Sequence, residues 1–110
     1  MSIMTVCGPV EANKLGIITP HEHVYIDMRV FFAPSPRIEL KQIGEAKVTM
    51  DVLGLLKRNP FLVKDNIIME DRATQTAELM RFRYAGGATV VDATNIGLGR
   101  DAELLRKTAV

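Results

Sequence analysis

The sequence is poor in the features that would place it in several large classes of protein. A single cysteine, Cys7, in 110 residues excludes an internal disulfide. Cys7 lies in an apolar run, so it is expected to be a buried small hydrophobe rather than a nucleophile. No apolar stretch approaches the roughly 18 residues that a membrane-spanning helix needs. Residues 1–6 lack the basic and apolar regions of a secretory signal, which makes a cytoplasmic location the default expectation. An excess of one charge is missing as well. With 14 basic and 13 acidic residues the net charge is +1, so there is no electrostatic footprint for nucleic acid or an acidic membrane face. A composition that is 47% hydrophobic and 25% charged suits a globular protein, and 110 residues bound it at one domain or less.

Residues 3–10 read as a strand, 11–14 as a turn and 15–23 as a second strand, with Asn13 and Gly16 as the permissive turn positions. Pro20 has no N–H to give to a ladder, so the second strand should loosen there. From Tyr25 to Lys64 the pattern is irregular, broken by Pro34, Pro36 and Pro60, with Phe31, Phe32 and Phe61 as its main aromatic surface. One short helix is expected inside it, capped by Thr49, carrying Val52, Leu55 and Leu56 on one stripe and ending before Pro60. A longer helix follows over 71–85, with Ala73, Ala77, Met80 and Tyr84 at helical spacing, and Gly86-Gly87 stops it. Residues 88–93 form a compact, nearly unbroken apolar run suited to a parallel strand covered on both faces. Residues 95–100 are then a loop, and Asp101 is the expected N-cap of a final helix from Ala102.

Strand, long connection, strand, loop and helix is the order of a parallel α/β protein. Two parallel strands cannot close a barrel or cover an open sheet, and Ala109-Val110 carries no helix-stop signal. The expectation is therefore that residues 1–110 are the N-terminal part of a larger domain, with apolar surface exposed when it stands alone.

Against that background one tripeptide stands out. His21-Glu22-His23 holds the only two histidines of the chain, at the end of the second predicted strand. Alternate side chains leave a strand on the same face, so both imidazoles point one way and Glu22 the other. Their backbones are then roughly 6–7 Å apart, which lets two ring nitrogens converge on one ion at about 2.0–2.1 Å. Imidazole suits zinc and its neighbours, and two ligands leave positions open for other groups, water or substrate. The plainer alternative is two adjacent surface histidines.

Several runs together carry a resemblance. They are Gly16 through His21-Glu22-His23-Val24, then Asn59-Pro60-Phe61 with Asp65-Asn66, then Phe82 to Gly87. Val90-Val91-Asp92-Ala93-Thr94 follows, and then Gly97-Leu98-Gly99-Arg100-Asp101. In this order they resemble the phosphotriesterase family of the amidohydrolase superfamily, in its phosphotriesterase-related and lactonase-like branch. Ile18 and Thr19 stand where the family more often has threonine then leucine, and Pro20 is unusual before the first histidine.

The resemblance implies an N-terminal fragment of a (β/α)8 TIM barrel preceded by a short β-hairpin strand. Residues 1–110 would be one incomplete barrel domain, and the stretch after the histidine strand a substrate-shaping excursion. It also implies a binuclear metal centre, usually Zn2+, with His21 and His23 on the more buried ion. A carboxylated lysine, two histidines and an aspartate from later strands would complete it, so no catalytic residue is expected within these 110. The implied enzyme is a zinc-dependent hydrolase whose activated hydroxide attacks a phosphotriester, lactone or other ester, with residues 1–110 alone inactive. The expected partner is a small-molecule ester, with a homodimer as an open option and neither nucleic acid nor membrane involved.

Two other readings remain to be weighed. One is a non-catalytic or truncated piece with a structural or interaction role. The other is a nucleotide-binding module, because Gly97-Leu98-Gly99-Arg100-Asp101-Ala102 formally matches G-x-G-x-x-G/A. The second is disfavoured, since Asp101 would set a carboxylate where a pyrophosphate should sit. A barrel loop is simpler, with glycines for the turn, Asp101 as cap and Arg100 paired with a carboxylate. Asp92 is expected to make buried hydrogen bonds, and Glu22 a structural one.

Overall fold

The computed structural model describes residues 1–110, which divide into two compact units: Met1–Tyr25 with Glu70–Val110, and Ile26–Met69. The first unit opens with a hairpin in place of the single strand expected over 3–10. Strands β1 (Ser2–Thr5) and β2 (Gly8–Glu11) pair antiparallel around Val6-Cys7. The Thr5 hydroxyl makes the turn. It donates to the Gly8 carbonyl at 2.7 Å and accepts the Cys7 N–H at 3.1 Å. This puts Cys7 at the tip, where it is exposed rather than buried.

Gly16 turns the chain into β3 (Ile17–Glu22). Its φ is +61°, and a Cβ there would lie 2.7 Å from Ala88 Cβ, so both conformation and space demand glycine. β3 runs parallel to a strand far along the sequence, and the connection between them is the second unit followed by a helix.

The second unit is closed by a two-residue antiparallel pair, β4 (Ile26–Asp27) with β5 (Ile68–Met69). Between them lie mainly 3₁₀ turns and one short helix, α1 (Leu53–Leu56). Thr49 caps nothing with its side chain; its carbonyl accepts the Val52 N–H instead, because the element begins as a 3₁₀ turn. Val52, Leu56, Leu62 and the fully buried Val63 form a core, with Ile43 and Leu55 packed against it. The irregular segment of the sequence thus has an interior of its own. Its conspicuous polar residues hold the turns. Asn59 Oδ1 accepts the Phe61 N–H at 3.1 Å, and Asn66 Nδ2 donates to the Pro60 carbonyl at 3.0 Å. Asp65 accepts from Lys47 Nζ at 2.5 Å and from the Val48 N–H at 2.9 Å.

Back in the first unit, helix α2 (Arg72–Tyr84) starts where its cap predicts: Asp71 accepts the Thr74 N–H at 2.8 Å. The expected packing stripe is turned outward, with Tyr84 81% exposed. Leu79 and Phe82 are the half-buried apolar residues, because the short turn after α2 leads the next strand back beneath Phe82. A Cβ on Gly87, the first residue of that strand, would sit 2.3 Å from Phe82 Cζ.

That strand is β6 (Gly87–Asp92), and it pairs with β3 as the βαβ order requires. With one neighbour each, the two strands leave Ile17, Ile18 and Val91 exposed, so the expected cover on both faces is not seen within these residues. Helix α3 (Ala102–Ala109) completes the unit, with Asp101 Oδ1 accepting the Leu104 N–H at 2.8 Å. No helix is long and apolar enough to cross a membrane.

Candidate metal centre

The site forms where β3 and β6 end side by side. The pairing runs Thr19 with Val90 and then Glu22 with Asp92, so β3 fits one extra residue into the interval. Pro20 lies in that interval and has no N–H for the ladder, which accounts for the loosening. Irregularities of this kind re-aim side chains at strand ends. Here His21 is the next-to-last residue of β3 and His23 lies just beyond its end. Their rings meet edge to face, with centroids 5.4 Å apart and planes at 78°.

That separation can be compared with what one ion requires. Two imidazoles bound tetrahedrally through bonds of about 2.0–2.1 Å hold their ring centroids about 5 Å apart. The ring spacing of the pair lies close to that value. His21 is exposed and His23 half-buried. No group of three or more histidine, cysteine, aspartate or glutamate side chains is arranged to hold an ion.

The surroundings hold His23 and its backbone firmly. Asp92 stands at the end of β6 and bridges the two strand ends with its two oxygens. Oδ2 accepts the Val24 N–H at 2.8 Å and Oδ1 accepts the Thr94 N–H at 2.9 Å. The Ala93 N–H donates to the Glu22 carbonyl at 2.8 Å, which carries the parallel ladder past the last paired residues. Val24 and Tyr25, immediately after His23, are 5% and 4% exposed and anchor the chain. The Tyr25 hydroxyl reaches Thr108 Oγ1 of α3 at 2.7 Å. Glu22 accepts from the Thr19 hydroxyl at 2.5 Å, a local bond on the exposed side.

One residue that sequence reasoning passed over also touches the pair. Thr94 is 3% exposed, and its Oγ1 lies 2.9 Å from His23 Nδ1. Its spacing from Asp92 could have flagged it, since i and i+2 leave an extended segment on one side. The loop after β6 is a tight turn that leads into a capped helix. Gly99 takes φ +79°, Asn95 Oδ1 accepts the Gly97 N–H, and Asp101 fills the N-terminus of α3. Arg100 makes no ion pair, against expectation; its backbone N–H donates to the Asn95 carbonyl at 3.1 Å.

Comparison with known proteins bears on this arrangement. The sequence model of the phosphotriesterase family matches residues 1–110. The chain belongs to the phosphotriesterase family. A phosphotriesterase-related protein of Nematostella vectensis is 34% identical over 109 residues, covering 96% of this chain and 31% of that protein. An N-acetyltaurine hydrolase of Xenopus tropicalis is 32% identical over 108 residues, covering 97% and 31%. Among solved structures, a resiniferatoxin-binding protein from Rhodobacter sphaeroides superposes with a TM-score of 0.93 at 36% identity, over 98% of this chain and 30% of that one. The chain thus spans about a third of the length of these family members.

Proposed function

We propose that this chain supplies the first two metal ligands of a metal-dependent hydrolase of the phosphotriesterase type, with a binuclear zinc-like centre in the native protein. The observation that carries the reading is the edge-to-face pair of His21 and His23, 5.4 Å apart at the end of a parallel strand. Active sites of barrel enzymes lie at that end of their strands. His21 and His23 would each give one neutral ring nitrogen to the buried ion. Asp92 keeps the strand end from shifting by holding the amide next to His23. Bound metal would supply an activated water at neutral pH and a Lewis acid for the reacting oxygen. The remaining ligands and the group that handles the proton would come from other strands of the barrel.

The substrate class proposed is a phosphotriester, a lactone or another carboxylic ester. A second reading has support of its own, because relatives at 30–33% identity are named N-acetyltaurine hydrolase. An N-acetyl amine is a carboxamide, and the same activated water serves for either acyl group. Turnover by the native protein on matched ester, lactone, phosphotriester and N-acetyl amine panels separates them.

The test of the reading as a whole is metal content. About two divalent ions per chain are expected in the native protein, as a two-metal site requires. His21→Ala with His23→Ala should abolish both metal and turnover. Loss is expected to exceed the 10–100-fold or so that changes outside the ligand set produce. Wild-type metal content and turnover in the double variant would overturn the proposal.

A further inference from the structure

We propose that Thr94 is a positioning residue for His23. Its hydroxyl selects the imidazole tautomer with hydrogen on Nδ1, which leaves Nε2 as the nitrogen free to bind a divalent cation. The inference rests on the metal reading above for its consequence, though not for its hydrogen-bond geometry.

The argument is a count of protons. Thr94 Oγ1 lies 2.9 Å from His23 Nδ1 and 3.2 Å from the carbonyl oxygen of Tyr25. A carbonyl can only accept, and a hydroxyl has one hydrogen to give. That hydrogen goes to Tyr25, so the contact with His23 must be made by a hydrogen on Nδ1. A neutral imidazole carrying hydrogen on Nδ1 has its lone pair on Nε2. The reverse arrangement, with Thr94 donating to Nδ1, would take the hydroxyl away from the Tyr25 carbonyl. At 3% exposure Thr94 has little access to water that could replace that bond.

The hydroxyl is itself held in place from two sides. The Thr94 backbone N–H is tied to Asp92 at the end of β6. The Tyr25 carbonyl belongs to a residue that is 4% exposed and whose phenol is bonded to Thr108 of α3. Thr108 in turn donates to the Leu104 carbonyl at 2.9 Å, which leaves the Tyr25 hydroxyl to donate to Thr108. A histidine ligand is usually oriented by a hydrogen bond at its other nitrogen, and here a buried threonine provides it. His21 has no such partner in the structure, so the two histidines are held unequally.

Two measurements on the native protein test this, one of them without metal. In the metal-free, 15N-labelled protein, at a pH where the ring is neutral, long-range 1H–15N spectra should show His23 with hydrogen on Nδ1. Thr94→Val keeps the shape and removes the hydroxyl, so it should lose that signature, and Thr94→Ser should retain it. With Zn2+ alone in a chelator competition, Thr94→Val should bind about 10–100-fold more weakly, and Thr94→Ser close to wild type. A wild-type spectrum with hydrogen on Nε2 would overturn the proposal. So would equal Zn2+ affinity in wild type and Thr94→Val. Failure of the wild type to bind Zn2+ would instead sink the metal reading, while the metal-free spectrum still decides the role of Thr94. Should Thr94→Val not fold, the wild-type and Thr94→Ser spectra suffice.

Discussion

The two units of this chain divide between them what a small domain usually combines. The first, Met1–Tyr25 with Glu70–Val110, holds nearly all the regular structure: a hairpin, a parallel strand pair and two helices. Its buried apolar side chains are only Val24 and Tyr25, and Ile17, Ile18 and Val91 of its parallel strands are exposed. The second unit is mostly 3₁₀ turns, yet it contains Val52, Leu56, Leu62, Val63 and Ile67, which form most of the interior. Regular hydrogen bonding and apolar burial are thus separable here. Strand residues selected for burial need neighbours on both faces, and two paired strands supply too few. A run of tight turns can close on itself around four or five aliphatic side chains.

The sharpest way to break this contrast is to shorten one valine in each unit. Val63→Ala removes two carbons from a fully buried position, where transfer and cavity terms add to a cost of about 2–3 kcal/mol. Val91→Ala makes the same chemical change at a position 45% exposed and should stay within about 0.5 kcal/mol. Denaturant unfolding of the two variants measures the difference. A Val91 cost as large as that of Val63 would show that other strands or another chain cover β6 in the protein tested.

A smaller effect is expected at the entry to β3. Gly16→Ala forces a side chain into a left-handed conformation and against Ala88, 2.7 Å away. The cost should be about 2 kcal/mol. It should also disturb the first unit and leave the second unchanged. Hydrogen exchange distinguishes the outcomes: faster exchange of the β3 and β6 amides is expected, with no change at the Asn66 and Met28 amides, which bond within the second unit. Uniform acceleration would mean the units unfold together.

What could be read from the sequence follows from the same division. Helices α2 and α3 were legible to within a residue or two because their caps are local chemistry. Asp71 and Asp101 each bond the amide three residues on, whatever lies around them. The closeness of the two histidine rings was legible from their i and i+2 spacing, although the strand ends between them and its register is irregular there. The outward turn of Ala73, Ala77, Met80 and Tyr84 was not, since spacing shows that a helix has an apolar stripe but not which side its partner occupies. Cys7 was misjudged for a similar reason: apolar neighbours suggested a strand, while the Thr5 hydroxyl makes a turn there. The core around Val63 has no period to detect. Thr94 escaped because a buried threonine becomes informative only when its hydrogen-bond partner, 71 residues away, is known.

The smallest expected effect concerns acid, and it sharpens the comparison by acting on the second unit through its closing strands. Side-chain and backbone hydrogen bonds from Arg29 hold the Asp27 carboxyl down to about 2, from an ordinary value of 3.8. Lys47 and the Val48 amide lower Asp65 in the same unit. Because the folded values lie below the unfolded ones, the contribution is complete above about pH 4 and is lost as pH falls through the folded values. Both pairs are open to solvent, so screening keeps the effect small and salt should weaken it further. The carboxyl carbon of Asp27 should titrate with a midpoint near 2. Asp27→Asn should flatten the loss of stability between about pH 4 and 2 without altering stability near neutrality by more than the bond to Arg29 is worth. An unperturbed midpoint near 3.8 would mean that Arg29 does not hold the carboxylate in solution, and that β4 and β5 are closed by their backbone bonds alone.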